Sequence, residues 1–303
     1  MQFKHVYIDI SGHCNAKCRW CVTYNDSHLH AQRGFLSANN FYKILSRLND
    51  IGAIDRSTVF MLHNWGEPAL NKDFPVIIKI LSQNKLRWNF STNASVFPQI
   101  ANSDFSLLSG LTISMPGFSQ SSYDKIHGFN FDRILKNIDK YAYVLRDFLN
   151  KITIYFHAYQ FNIHEIHHAY KYASKLKVNF FATYAYFNNY DMSFRYLNRK
   201  LSGEDIYDAS KQLALFYVDD LISNMPQEYI CPQFSILTLD EFGNVLQCCC
   251  ISRTQKYYSV GSIFDITLDE IIENRKKSPA CVDCLNSGIA YWAHNPFQIR
   301  FCE

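Results

Sequence analysis

Three cysteines stand within eight residues, Cys14-Asn15-Ala16-Lys17-Cys18-Arg19-Trp20-Cys21, with three residues and then two between them. The apolar alternation His5-Val6-Tyr7-Ile8-Asp9-Ile10 ahead of them reads as a β-strand, and Ser11-Gly12-His13 as a tight turn leading off it. The three thiols therefore belong to one loop just past the C-terminal end of a strand. A single zinc ion takes four ligands and favours paired Cys-x2-Cys spacing. Three close thiolates instead suit three corners of an iron–sulfur cube. The fourth iron, with no protein ligand here, is then open to a small chelating molecule. A zinc site and unpaired core cysteines are the two plainer readings.

Seven more cysteines fall at 231, 248, 249, 250, 281, 284 and 302, and none lies between 21 and 231. That gap separates two cofactor regions by a cysteine-free scaffold. Met1-Gln2-Phe3-Lys4 runs straight into the first strand, with no signal peptide expected and no stretch of eighteen apolar residues. The expectation is a cytoplasmic protein. Thiols there stay reduced, so cysteines clustered by spacing point to metal rather than to disulfides. Thirty Lys and Arg against 27 Asp and Glu give a net charge of +3. With no basic run, the chain is not built on phosphate-backbone contacts, and neither nucleic acid nor a membrane is an expected partner. Aromatic residues make up 16% and read as core and pocket lining.

The elements that must hold the thiols alternate along the 303 residues. Ser37 caps a helix with Phe41, Ile44, Leu45 and Leu48 on one stripe. Thr58 to Leu62 is a near-continuous apolar run, the pattern of a strand covered on both faces. A helix over Phe74 to Leu86 leads to a strand at Arg87 to Thr92, and a further strand at Leu111 to Met115 stops at Pro116-Gly117. A long helix, Phe131 to Phe148, precedes a strand at Ile152 to His157. A helix from His164 to Leu176 and a strand from Asn179 to Tyr186 complete the series. Six strands alternating with helices mean βαβ units and a parallel sheet, which right-handed crossovers curl into an open barrel. Ligands of such sheets sit at the C-terminal strand ends, where the cysteine loop also lies.

The Cys-x3-Cys-x2-Cys spacing, with aromatic Trp20 before the last thiol, resembles the signature of the radical S-adenosylmethionine (SAM) superfamily. The resemblance covers about residues 5 to 190. It implies an α/β fold, a partial (β/α)6 barrel over residues 1–200, and a [4Fe–4S] cluster on Cys14, Cys18 and Cys21 whose open iron SAM chelates. Reductive cleavage of SAM then yields a 5′-deoxyadenosyl radical that abstracts hydrogen from a substrate. His63-Asn64-Trp65-Gly66-Glu67-Pro68 looks like the family's Gly-Glu-Pro motif, so Gly66, Glu67 and Pro68 are expected to meet the amino group of SAM. Trp65 stands where many members carry a further glycine. Asn93 and Ser114, at the ends of the third and fourth strands, match polar positions near SAM, although either could simply cap the next helix. Trp20 matches an aromatic near the adenine. His157 and Gln160 would face SAM or substrate, and Tyr184 and Tyr186 the barrel mouth.

Past a linking helix at 201–228, residues 229–303 resemble the short "twitch" form of the SPASM extension, a small α+β auxiliary-cluster domain. Its pieces are Cys231-Pro232, a hairpin from Ser235 to Cys248 turning at Asp240-Glu241-Phe242-Gly243, and a loop, Cys281-Val282-Asp283-Cys284. The resemblance implies a second [4Fe–4S] cluster on Cys231, Cys248, Cys281 and Cys284, with a four-cysteine zinc site the alternative. In an extended strand Cys249 would point away from Cys248, toward the barrel, while Cys250 would share the cluster face and might replace Cys248. Cys249 could also be a buried small hydrophobe.

Such enzymes either epimerise a stereocentre, with a thiol returning hydrogen, or oxidise a carbinol, with the auxiliary cluster taking the electron. Cys249 tips the reading toward epimerisation. A small polar substrate (sugar, aminocyclitol or nucleoside-like) is favoured and a short peptide is possible. A reducing partner such as flavodoxin or ferredoxin is implied. A zinc-binding interaction protein and a SAM-independent electron carrier are the readings from other classes.

Overall fold

A computed structural model of the chain describes residues 2–25, 32–187, 190–215, 223–251, 253, 255, 257–295 and 299. Among these, nine strands form one sheet: β1 (His5–Ile8), β2 (Val59–Met61), β3 (Arg87–Thr92), β4 (Leu108–Met115), β5 (Ile152–Ala158), β6 (Asn179–Tyr184), β7 (Ile236–Leu239), β8 (Asn244–Leu246) and β9 (Ser259–Ser262). Their order is β6-β5-β4-β3-β2-β1-β7-β8-β9. All neighbours from β6 to β7 are parallel, and β7-β8-β9 is antiparallel. The helices are α1 (Val22–Asn25), α2 (Ala38–Asp50), α3 (Phe74–Gln83), α4 (Gln120–Lys125), α5 (Phe131–Val144), α6 (Ile166–Leu176), α7 (Tyr190–Leu197) and α8 (Gly203–Ser210), then Leu268–Lys277, Pro279–Asn286 and Ile289–His294.

Helix α2 starts where Ser37 Oγ accepts from Asn40 N, and it buries Phe41, Ile44, Leu45 and Leu48. Helix α5 begins at the Asn130 cap and buries Ile134, Ile138, Tyr141 and Ala142. It stops at Val144, earlier than its apolar pattern suggests, because the chain tightens into a 3-10 turn in which Phe148 leaves helical geometry. Residues 216–222, which include Phe216 and Tyr217 of the expected 201–228 helix, lie outside the described residues.

Each barrel strand shows two faces. In β5, Ile152, Ile154, Phe156 and Ala158 are buried in the core shared with the helices, whereas Thr153, Tyr155 and His157 on the opposite face are half-buried. Strand β2 follows the same rule, with Phe60 buried and Val59 and Met61 half-buried. Its second face looks into the barrel rather than onto a second layer, so the continuous apolar run overstated its burial.

β7 joins the barrel sheet directly, pairing in register from His5↔Ile236 to Ile8↔Leu239. Residues further on reach the other edge: Ile299 N donates to Ala182 O of β6 at 2.9 Å, and the Tyr186 and Trp292 rings lie 5.4 Å apart. The C-terminal region thus touches both β1 and β6, across the side that six strands leave open. No helix among the described residues is long and apolar enough to cross a membrane.

Candidate functional site

The cysteine loop leaves β1 at Asp9. Asp9 is 3% exposed and accepts from the backbone N–H groups of Asn64, Trp65 and Gly66 at 3.0–3.1 Å. The turn after β2 is thereby fastened to the end of β1. Glu67 N donates to His13 O at 2.8 Å, which adds a second tie to the cysteine loop. At Gly66 an added Cβ would sit 1.6 Å from Ser11 O, so only glycine allows this approach.

Asp9 has a pH consequence. Burial, reinforced by Glu241, raises its pKa from 3.8 to about 7. Folded Asp9 keeps its proton where the unfolded chain has lost it, so this stabilisation is present at low pH and fades as pH rises through 7. The stability gap between wild type and Asp9→Asn should shrink by about 2–3 kcal/mol from pH 5 to pH 8. Urea unfolding of iron-free protein at the two pH values measures it, and a constant gap would contradict the assignment.

Glu67 is 2% exposed. Its carboxylate accepts from Thr92 Oγ1 at 2.7 Å, Asn93 N at 2.7 Å and Ala69 N at 3.1 Å. The Glu67 side chain is thus tied to the end of β3 beneath the loop. Pro68 is buried and opens the 3-10 turn Pro68–Leu70. Asn93 Nδ2 donates to Asn15 Oδ1 at 3.0 Å and to Cys14 Sγ at 3.8 Å, placing it directly behind the first thiol.

Burial, then the Glu67 charge, pushes the Cys14 thiol up to about 12. Burial and then the Cys21 and Cys14 charges raise Cys18. Three thiols that oppose one another's ionisation need a cation among them to become thiolates together. A tetrahedral zinc with Zn–S near 2.3 Å would draw its sulfurs to about 3.8 Å from one another. Among the described residues the set of three or more ligand atoms within 4.8 Å is Cys248, Cys249 and Cys250. Cys14, Cys18 and Cys21 do not form such a set.

A cavity of about 230 Å³ opens beside this loop. Cys18, Cys21, Trp20, Ser114, His157 and Tyr186 line it, together with His127, Tyr155 and Tyr159. Trp20 is held by a bond from Nε1 to Gln212 Oε1 at 2.9 Å and by the edge of Phe187. Ser114 Oγ and His157 Nε2 are 3.2 Å apart, and burial lowers His157 to about 4, so the imidazole is neutral. His127 carries its backbone oxygen to Lys17 N, within the cysteine loop, while its buried Nδ1 has no partner among the described residues. Such an atom calls for a ligand group or water. Gln160, expected to face SAM or substrate, and Tyr184, expected at the mouth, do not line the cavity. Gln160 binds the backbone of residues 212 and 213, and Tyr184 packs against the barrel core.

Cys231, Cys248, Cys281 and Cys284 line a second cavity, with Cys250, Gln247 and Arg275. Cys281 and Cys284 sit on the helix Pro279–Asn286, not on a loop, so their i, i+3 spacing puts both thiols on one face. The strand premise for residues 248–250 fails, because β8 ends at Leu246 and the chain turns. Cys249 and Cys250 sulfurs lie 3.7 Å apart, and Cys250 N donates to Cys248 Sγ. Hydrogen bonds from Cys249 and then Cys250 hold the Cys248 thiol low, while the same bond to Cys248 raises Cys249. Even so, Cys250 lines the second cavity and Cys249 does not. Burial, then the charges of Tyr155, Cys250 and Cys249, raises Tyr186 at the first cavity, which neither Cys249 nor Cys250 lines. Cys302 lies outside the described residues.

No protein-family model and no curated protein matches the sequence. Solved structures do. anSMEcpe with bound AdoMet and Cp18Cys peptide superposes at a TM-score of 0.56 and 14% identity, over 91% of this chain and 80% of that one. SuiB of Streptococcus suis bound to its precursor peptide SuiA gives 0.59 and 15%, over 92% of this chain and 66% of SuiB. The chain shares the fold of these two proteins. Within that fold the three-thiol loop follows the first barrel strand, Cys231 precedes β7, Cys248, Cys249 and Cys250 follow β8, and Cys281 and Cys284 lie on the helix Pro279–Asn286.

Sequence reasoning missed Asp9, His127, Tyr155, Tyr159, Gln247 and Arg275. Asp9 carried a usable signal, an acid at the end of a buried strand. The others gain their places only through tertiary contacts.

Proposed function

We propose that the protein is a radical SAM enzyme acting on a small polar substrate such as a sugar, aminocyclitol or nucleoside-like molecule. One observation carries the reading: Cys18 and Cys21 line a cavity walled by Trp20, Ser114 and His157, and the loop they share with Cys14 is tied through His13 O to the Gly66-Glu67-Pro68 turn. Cys14, Cys18 and Cys21 would hold a [4Fe–4S] cluster, and Cys231, Cys248, Cys281 and Cys284 an auxiliary one. When bound, the first cluster and SAM supply the 5′-deoxyadenosyl radical that takes a substrate hydrogen atom.

The residues around that chemistry have separable tasks. Gly66 brings backbone close to the cluster loop, Asn93 backs Cys14, and Trp20 offers a flat face for a ring. The neutral Ser114–His157 pair can hydrogen-bond hydroxyls without placing a charge in the cavity. Tyr155, Tyr159 and Tyr186 exclude water from a reacting radical. Cys249 is the proposed hydrogen donor on the return step, epimerising a stereocentre. Its S–H bond breaks and a C–H bond forms, and the sulfur then needs one electron and one proton to return to a thiol. A reduced flavodoxin or ferredoxin in the cytoplasm would be the ultimate electron source.

Turnover in heavy water tests the donor. Wild type should place deuterium in the product, and Cys249→Ala should lose at least about 90% of that label while still forming 5′-deoxyadenosine. An oxidised product formed at an unchanged rate would move the assignment to carbinol dehydrogenation, with the auxiliary cluster as electron acceptor. A short peptide is the second substrate reading, since anSMEcpe and SuiB were both solved with peptides. A zinc-binding interaction protein would bind zinc in place of about eight irons on anaerobic reconstitution.

A further inference from the structure

Arg275, on the helix Leu268–Lys277, is 2% exposed. Its guanidinium is spent on three backbone carbonyls. Nε donates to Gln247 O at 2.9 Å, one terminal nitrogen to Ile236 O at 2.6 Å and the other to Gln233 O at 2.8 Å. Carbonyls satisfy the N–H groups but supply no net charge. None of the ion pairs among the described residues includes Arg275. A buried charge without a counter-charge is costly, which is why natural cores pair them.

The Arg275 guanidinium lies over the Phe234 ring, 6.0 Å from the centroid, and the nearest groups able to carry negative charge are the thiols of Cys248, Cys281 and Cys231. Arg275 lines the cavity that Cys231, Cys248, Cys281 and Cys284 share. Gln247 adds a second polar contact there, its Nε2 donating to Cys281 Sγ at 2.9 Å and to Arg275 O at 3.0 Å. A fixed cation and an amide N–H aimed at sulfur form an environment for an anion. Four thiolates around a [4Fe–4S] core carry net negative charge in either oxidation state.

We propose that Arg275 is the counter-charge of an anionic four-thiolate iron–sulfur cluster in this cavity and raises that cluster's midpoint potential. The proposal rests on the auxiliary-cluster reading above. Reduction adds one electron and one negative charge, with no proton needed. A nearby fixed positive charge therefore stabilises the reduced form more than the oxidised one. Cys231, Cys248, Cys281 and Cys284 would hold the cluster, and Arg275 would tune it for one-electron transfer rather than for a purely structural role.

Redox titration of reconstituted full-length protein, followed by electron paramagnetic resonance, tests this on wild type, Arg275→Lys and Arg275→Met. The Lys variant keeps the charge but disturbs the carbonyl contacts, so it controls for a purely structural role. The Met variant should lose about tenfold in the equilibrium constant for accepting an electron, about 59 mV for a one-electron couple, with Lys close to wild type. An unmoved potential in Arg275→Met overturns the proposal. Where Met prevents the second cluster from loading, iron content decides. About eight irons in Arg275→Lys against about four in Arg275→Met supports charge compensation, and loss from both variants overturns it. A wild type that binds only about four irons would instead bring down the auxiliary-cluster reading beneath it.

Discussion

Cys18→Ala should yield no detectable 5′-deoxyadenosine from SAM under strong reduction, and its iron should fall from about eight to about four per chain. The substitution is clean. Backbone contacts of the loop, including Cys21 N to Cys18 O at 3.0 Å, do not use the side chain. Cys18 Sγ lines the cavity, and its thiol is raised by burial and by both neighbouring thiols, so it belongs to a mutually coupled trio. Removing one of three ligands leaves too few to hold a cube, while the distant four-cysteine cavity is untouched. Circular dichroism should show an unchanged fold, since loss of one sulfur from a loop typically destabilises by about 1 kcal/mol or less. Undiminished iron with continued SAM cleavage would remove the first cluster from Cys14, Cys18 and Cys21.

Gly66→Ala should be the most disruptive single-methyl change in the protein. The added Cβ would meet Ser11 O at 1.6 Å, Ser11 C at 2.6 Å and His13 O at 3.0 Å. All three are backbone atoms of the cysteine loop, so no side-chain rotation relieves the clash. Either the turn leaves Asp9, breaking its three N–H bonds, or the loop carrying Cys14 moves. We expect a loss of about 3 kcal/mol or more, a fall of roughly 6–12 °C in melting temperature, and loss of SAM binding by equilibrium dialysis. Gly203→Ala is the control. Nothing lies within 4 Å of its Cβ, it sits in the first turn of α8, and its melting temperature should stay the same or rise slightly. A Gly66→Ala protein as stable as the control, with normal SAM affinity, would mean that the turn does not press on the loop.

The barrel was largely legible because its signals are local. Arg87 to Thr92 alternates, Ser37 and Asn130 cap their helices, and the gap in the cysteines marks the scaffold. Where reading stopped, the cause was long range or a competing local bond. No feature near Ile236 announces a parallel pairing with His5, which lies at the other end of the chain. Nothing in Arg275-Lys276-Lys277 marks the first residue as buried and the other two as exposed. Nor does Gly66-Glu67-Pro68 announce that the Glu67 carboxylate takes Thr92 and Asn93 as its donors, since both come from the next strand's end. Ser278-Pro279 did hold an unused clue. Proline at a first helical position would have turned Cys281-Val282-Asp283-Cys284 from a loop into a helix face.

The pairing of β1 with β7 also bears on how the chain is made. β1 leaves the ribosome first, yet one of its two partners, Ile236–Leu239, emerges only after most of the chain. At about 5–20 residues per second that wait lasts roughly 10–50 s. Throughout it, the strand bearing the cysteine loop has an unpaired edge, a template for association with other chains. A holdase, or fewer chains made at once, should therefore improve the yield of metal-ready protein more than added iron does, and a fragment ending before Ile236 should aggregate.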